Sequence, residues 1–162
     1  MDDEVGLVIA TDATVVAQMY EQLRRFAAVA APVEFDPDDL VQDALERALR
    51  RGSLTSLVNP KAYLFRTILN SASNQRRGLG RARKAMTRMA ERDGAQPSYP
   101  SDVSELLRVP ARQRAMLFLR EVEGFTYAEI AELLGSSEQA VRKASQRART
   151  RLKADLQEDD QR

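Results

Sequence analysis

The sequence predicts an all-α fold of two small helical domains joined by a flexible linker, the second domain being a helix-turn-helix. Three observations carry this prediction. Apolar residues recur at three- and four-residue spacing along most of the chain and never sustain the two-residue alternation of a half-buried strand. Residues that cap helices stand just ahead of those stretches. The segment GAQPSYP, residues 94–100, combines Gly, two Pro and Ser, which is linker chemistry. Domains are therefore expected at 1–92 and 102–162, with residues 93–101 between them.

The first helix is expected to be capped by Asp12, with Val16, Met19, Leu23, Phe26 and Ala30 on one face and Pro32 beyond its end. The second opens at Asp36-Pro37-Asp38-Asp39, because Asp caps well, Pro suits the first helical position and acids favour a helix N-terminus. Leu40, Val41, Ala44, Leu45 and Ala48 point inward, while Asp39, Gln42, Asp43, Glu46 and Arg50 point outward. Gly52 stops this helix, and residues 51–58 read as a loop. The third helix opens at Asn59-Pro60 by the same logic and runs to about Arg77, with Leu64, Phe65, Ile68, Leu69 and Ala72 inward. Its opposite stripe is Arg66, Asn70, Ser73 and Arg77. Asn and Ser are poor choices for an exposed helix interior, and small hydrogen-bonding groups flanked by arginine suit unpaired nucleotides. A basic run follows, Arg76, Arg77, Arg81, Arg83, Lys84, Arg88 and Arg92, opposed only by Glu91 and Asp93.

In the second domain, Thr126 and Glu129 have the spacing of a capping box. Ile130, Leu133 and Leu134 make one apolar face, and Gly135 supplies the left-handed cap that ends the helix. Ser136 and Ser137 then cap a last helix on which Val141, Ser145, Ala148 and Leu152 share a face. A short turn between two angled helices is the geometry that sets the second into a DNA major groove. No acid lies between Glu138 and Asp155 to balance the arginines and lysines there. Gln146 and Arg142 are side chains that read base edges, whereas Lys143 and the later arginines suit phosphates.

The net charge of +1 over 162 residues conceals a segregated distribution, with an acidic front and basic blocks further on, as expected of several distinct partners. There is no Cys and no His, which excludes disulfides, thiolate chemistry, imidazole acid–base catalysis and ordinary zinc sites. The apolar run at residues 5–10 is too short to span a membrane, so a cytoplasmic protein is expected, with no cofactor and no membrane partner. The cluster Asp36, Asp38, Asp39 and Asp43 could be imagined as a hard-metal site. Helix capping already accounts for most of it, and neither a catalytic group nor a metal ligand is assigned.

Several motifs resemble a known family. VPARQR at 109–114, EGFTYAEIAELLG at 123–135 and SSEQAV at 136–141, followed by RAR and RL, resemble conserved region 4 of bacterial RNA polymerase sigma factors. DPDDLVQDALERALRR resembles the core-binding helix of conserved region 2, and NPKAYLFRTILN resembles the promoter-melting helix after it. The short chain leaves no room for a separate third-region domain, which points to the extracytoplasmic-function (ECF) type. The resemblance implies binding to the clamp helices of the largest subunit of core RNA polymerase through Asp39, Leu40, Gln42 and Asp43, with the polymerase flap as a further contact. It implies opening and holding of the −10 element by Asn59, Tyr63, Arg66 and Asn70, with Arg76 and Arg77 on the strand backbone. It implies reading of the −35 duplex by Gln139, Arg142, Lys143, Gln146 and Arg147, with promoter DNA and an anti-sigma factor as further partners. The chain departs from the pattern at three places. Ser145 stands where Leu is usual, Ala144 where a basic residue is common, and Gln75 where an apolar residue often precedes the arginine pair.

Two other readings compete with this one. A dimeric helix-turn-helix regulator would leave the helices of DPDDLVQD and NPKAYLF without a role. A sigma-like decoy for an anti-sigma factor would tolerate the altered recognition helix.

Overall fold

The computed structural model describes residues 11–32, 34–86 and 109–159. Among these, six α-helices and one 3-10 turn occur. The helices are α1 (Asp12–Ala30), α2 (Pro37–Arg51), α3 (Pro60–Met86), α4 (Ala111–Glu121), α5 (Tyr127–Leu134) and α6 (Glu138–Asp159). The all-α expectation holds. The expected linker at 93–101, the apolar run at 5–10 and the basic residues Arg88 and Arg92 lie outside the described residues.

Local chemistry sets most helix boundaries as the sequence indicates. Asp36 caps α2 by accepting from the Asp38 amide at 2.8 Å, with Pro37 at the first helical position. Asn59 caps α3 by accepting from the Ala62 amide at 2.9 Å. Three expectations are corrected. Thr11, not Asp12, caps α1, because its hydroxyl accepts from the Thr14 amide. The Asp12 carboxylate instead takes hydrogen bonds from the Ser53 hydroxyl at 2.7 Å and the Thr55 amide at 3.2 Å. Residues 51–58 are not a plain loop, since Leu54–Ser56 form a 3-10 turn whose Leu54 is fully buried. Helix α3 does not stop near Arg77 but continues to Met86, carrying Arg76, Arg77 and Arg81 on one rigid rod.

Helices α1 to α3 pack around Leu23, Phe26, Leu40, Val41, Ala44, Leu64, Phe65 and Ile68, all fully buried. Each of these side chains apart from Ala44 contributes about 1.5–3 kcal/mol by leaving water. Side chains tie the helices together as well. Asp38 accepts from the Tyr20 hydroxyl at 3.0 Å and from Arg24 Nε at 3.1 Å, joining α1 to α2. Asp43 accepts from the buried Ser71 hydroxyl at 3.0 Å, joining α2 to α3.

The two halves share one hydrophobic core. Ala115, Met116 and Leu119 of α4, Ile130 and Leu133 of α5 and Val141 of α6 belong to the same buried cluster as the first three helices. Ring contacts cross the boundary: Phe118 lies 5.8 Å from Phe26, Phe26 lies 4.5 Å from Phe65, and Phe65 lies 6.0 Å from Phe125. Arg114 of α4 is almost fully buried and donates to the carbonyls of Val29 at 2.9 Å and Val109 at 2.7 Å. Arg76 of α3 donates to the neighbouring Ala30 carbonyl at 3.1 Å. Helix α1 has no basic residue in its own last turn, so these two arginines meet the exposed carbonyl end of its dipole. Burial pulls the Arg114 pKa down to about 10, with nearby Arg76 acting in the same direction.

Candidate nucleic-acid interface

Three surfaces follow from this packing. The first is the outward face of α2. Asp39 and Gln42 are exposed there. Asp43 is half-buried and already engaged by Arg47 at 3.0 Å and by Ser71. Leu40 is fully buried, so its expected place among the surface contacts is corrected: it anchors α2 in the core and cannot touch a partner. In the acid cluster Asp36 caps the helix, Asp38 pairs with Arg24 and Asp43 pairs with Arg47, while Asp39 is exposed. Among the described residues, no group of three His, Cys, Asp or Glu is placed to hold a metal ion.

The second surface is an open groove of about 500 Å³ between α2 and α3. Arg47, Arg50, Arg51, Tyr63, Arg66, Thr67 and Asn70 line it. It gathers the expected Tyr63, Arg66 and Asn70 and adds three arginines from α2 that the sequence did not single out. The signal was present in the four-residue spacing of Arg47 and Arg51. It was hidden because Arg47 and Arg50 also read as ordinary helical partners of Asp43 and Glu46, to which they are indeed paired. Tyr63 is half-buried, neither a core tyrosine nor a bare one. Asn59 lies outside this groove and lines its neighbour together with Val58, Tyr63 and Arg66. Arg76 does not join them. It is exposed, and its guanidinium donates to the Ala30 carbonyl on α1. Arg77 is exposed and rests on Asn74.

The third surface belongs to the helix-turn-helix. The capping box is complete: the Thr126 hydroxyl accepts from the Glu129 amide at 3.1 Å, and the Glu129 carboxylate accepts from the Thr126 amide at 2.7 Å. The Thr126 amide, aided by its hydroxyl, holds the Glu129 carboxyl below its ordinary value of 4.5. Gly135 ends α5 in the left-handed region at φ +60°, and Ser137 caps α6 by accepting from the Ala140 amide at 3.2 Å. Gln139, Lys143, Gln146 and Arg147 are exposed on α6. Lys143, Gln146, Arg147, Thr150 and Arg151 line one shallow basic channel. Arg142 is exposed but held, donating to Glu138 at 2.7 Å with its guanidinium 5.1 Å over the Tyr127 ring. Ser145 is fully buried at the departure from the family pattern, and its hydroxyl has no hydrogen-bond partner among the described residues.

A helix with no acid between Glu138 and Asp155, held by a turn, together with a separate arginine-lined groove, is the pattern of a protein that grips nucleic acid in two places. The comparisons with known proteins say which such class this is. The model for Sigma-70 region 2 matches residues 15–82, and that for Sigma-70, region 4 matches residues 104–152. Two curated relatives from Mycobacterium tuberculosis strains, each named ECF RNA polymerase sigma factor SigM, are 29% identical over 141 residues. Those alignments cover 82% of this chain and 70% of the relative. A solved structure, the co-crystal structure of the sigma factor RpoE in complex with the anti-sigma factor NepR from Bartonella quintana, superposes with a TM-score of 0.72 at 25% identity. It covers 90% of this chain and 96% of that one. The chain belongs to the sigma-70 family, as a sigma factor of the ECF type. Its role is promoter recognition and the initiation of transcription with core RNA polymerase.

Proposed function

We propose a division of that role among the three surfaces. The exposed Asp39 and Gln42 of α2, with Asp43 beside them, dock on core polymerase. The groove of Arg47, Arg50, Arg51, Tyr63, Arg66 and Asn70 holds the melted −10 strand, with Asn59 and Arg77 extending the path on either side. The α6 face of Gln139, Lys143, Gln146 and Arg147 reads the −35 duplex, and Arg142 joins it on leaving Glu138. The domains assigned are 1–92 and 102–162, with 93–101 as linker. The chain does no bond chemistry of its own and works in the cytoplasm, where its polymerase is. An anti-sigma factor is a fitting regulator, since the similar RpoE was solved bound to one.

The groove between α2 and α3 carries the reading. Melting costs a few kcal/mol per unstacked base, and stacking on an aromatic returns about 1–3 kcal/mol per base. Tyr63 supplies the ring, Asn70 the hydrogen-bonding edge, and four arginines the phosphate counter-charge. The test is a core pull-down beside run-off transcription. Arg142→Ala with Lys143→Ala is expected to abolish promoter-directed transcripts while leaving core binding intact. Asp39→Ala with Gln42→Ala is expected to weaken core binding. Equal loss of core binding by both pairs would overturn the division.

A further inference from the structure

We infer that the end of α3, residues 77–86, is a basic arm that grips the phosphates of duplex DNA, and that Gly78 and Gly80 keep its helix marginal until that contact forms. The inference rests on the reading of α3 as the helix lying along the −10 element, and it sets the arm on the duplex that adjoins the melted strand.

Helix α3 has no acid in its 27 residues, and its end holds Arg77, Arg81, Arg83 and Lys84. Of these, the proposed strand path takes in Arg77 alone. The rod is rigid only as far as packing holds it. Ala72 is buried, but none of residues 73–82 is. Among the described residues, the bond from Arg76 to the Ala30 carbonyl is the last that α3 makes to another helix. Residues 77–86 run about 15 Å beyond it. Gly78 and Gly80 sit in this unsupported stretch. A helical glycine is explained when a neighbour comes close, yet a Cβ added at either position meets no atom within 4 Å. Each glycine therefore lowers the helix equilibrium about fivefold against alanine, with no packing in return. Arg77 and Arg81, both exposed and four apart, repel each other. The carbonyl end of the helix dipole favours cations, so the helix forms, but a free-standing segment of this length is marginal in water.

The residue types say what the arm holds. From Arg76 to Met86 the side chains are Arg, Lys, Gly, Ala, Leu and Met only. There is no aromatic ring on which an unpaired base could stack. Cations without such a platform suit the backbone, and duplex DNA presents it most densely, with one charge per about 1.7 Å of axis. Once phosphates neutralise them, Arg77 and Arg81 no longer oppose each other, so binding and helix formation favour each other. The apparent affinity is the intrinsic one scaled down by the fraction of chains whose arm is already helical. Gly78 and Gly80 lower that fraction, and so hold the duplex grip of the free chain down.

The test uses the full chain, circular dichroism for helix content, and anisotropy with two fluorescein-labelled probes. These are a mixed-sequence duplex of about 24 base pairs and an oligodeoxythymidine of about 12 nucleotides. Gly78→Ala with Gly80→Ala is expected to raise the helix content of the free chain and to tighten duplex binding about 5- to 25-fold. The salt dependence is expected to keep its slope, because the same phosphates are met. Arg81→Ala is expected to flatten that slope by about 0.9, and Arg81→Lys to restore it. Gly80→Pro forbids the helix and is expected to weaken duplex binding below that of the unaltered chain. Its melting temperature is expected to stay unchanged, since Gly80 lies beyond the buried core. Unchanged duplex affinity in the double glycine variant would overturn the arm, and with a gain in helix content it would leave an acidic protein surface as the partner. Tightening without that gain would overturn the ordering. Equal tightening on oligodeoxythymidine would move the contact to the melted strand and overturn the duplex assignment. Tyr63→Ala separates this inference from the strand reading, since it is expected to weaken only oligodeoxythymidine binding. If it changes neither probe, the strand reading fails, while the arm is still judged by the glycine variants.

Discussion

Ser145 and Gln75 are the two positions where a buried side-chain oxygen has no hydrogen-bond partner among the described residues. Both are places where the sequence departs from the pattern of its family, which prefers an apolar residue there. An unmet buried polar atom costs about 1–3 kcal/mol, so Ser145→Ala is expected to raise stability by about 1 kcal/mol or more. The urea midpoint would rise with unchanged slope. Arg114 is the opposite case, a buried cation whose bonds to backbone carbonyls offset its burial. Arg114→Met strands those carbonyls and is expected to cost about 2–4 kcal/mol. Arg114→Lys is expected to recover only part of this, because an ammonium cannot reach several carbonyls with one planar fork. The sequence pointed to Ser145 because it shares a helix face with Val141, Ala148 and Leu152 and stands where the family pattern has Leu. It could not point to Arg114 or Arg76, whose partners lie on α1, far away along the chain.

At the scale of the element, caps were the legible part. Asp36, Asn59, Thr126, Gly135 and Ser137 each satisfy backbone groups within a few residues, so short-range pattern suffices to find them. Asp12 was misread because its partners, Ser53 and Thr55, sit on a turn that only tertiary structure brings near. The capping box makes a pH-dependent contribution. The Glu129 pKa lies below its ordinary 4.5 in the fold, so the stabilisation it gives is fully present above that value. It is lost as the pH falls through the depressed one. Glu129→Gln is expected to flatten that part of the acid limb in thermal melts followed by circular dichroism. Thr126→Ala is expected to cost about 1 kcal/mol at neutral pH, as lost N-caps typically do. At Gly135 an added Cβ meets no neighbouring atom, yet φ is +60°. Gly135→Ala is therefore expected to cost about 1 kcal/mol from backbone strain alone.

For the whole molecule, the sequence revealed two nucleic-acid grips and left their relation unstated. Fold class, both basic faces and the motif order were readable, because each depends on local spacing. The shared core was not readable: Phe118 and Phe125 look like ordinary core residues of the second domain until Phe26 and Phe65 are found against them. Two modest DNA contacts joined through one chain gain by effective concentration when a rigid frame sets their spacing. Core polymerase is the frame proposed for them. The isolated chain is accordingly expected to bind promoter duplex weakly and with steep salt dependence in anisotropy titrations, and the holoenzyme tightly.

The four phenylalanine rings running Phe118, Phe26, Phe65, Phe125 also give the molecule a built-in magnetic signature. Each ring sits in the shielding cone or at the edge of the next, so their proton resonances are displaced from those of free phenylalanine. The chain has no tryptophan to crowd the aromatic spectrum. Separation of the two halves would remove the Phe118–Phe26 and Phe65–Phe125 couplings while sparing Phe26–Phe65. The pattern of shifts that collapse, set against those that persist, then reports the fraction of separated molecules directly, with no label attached.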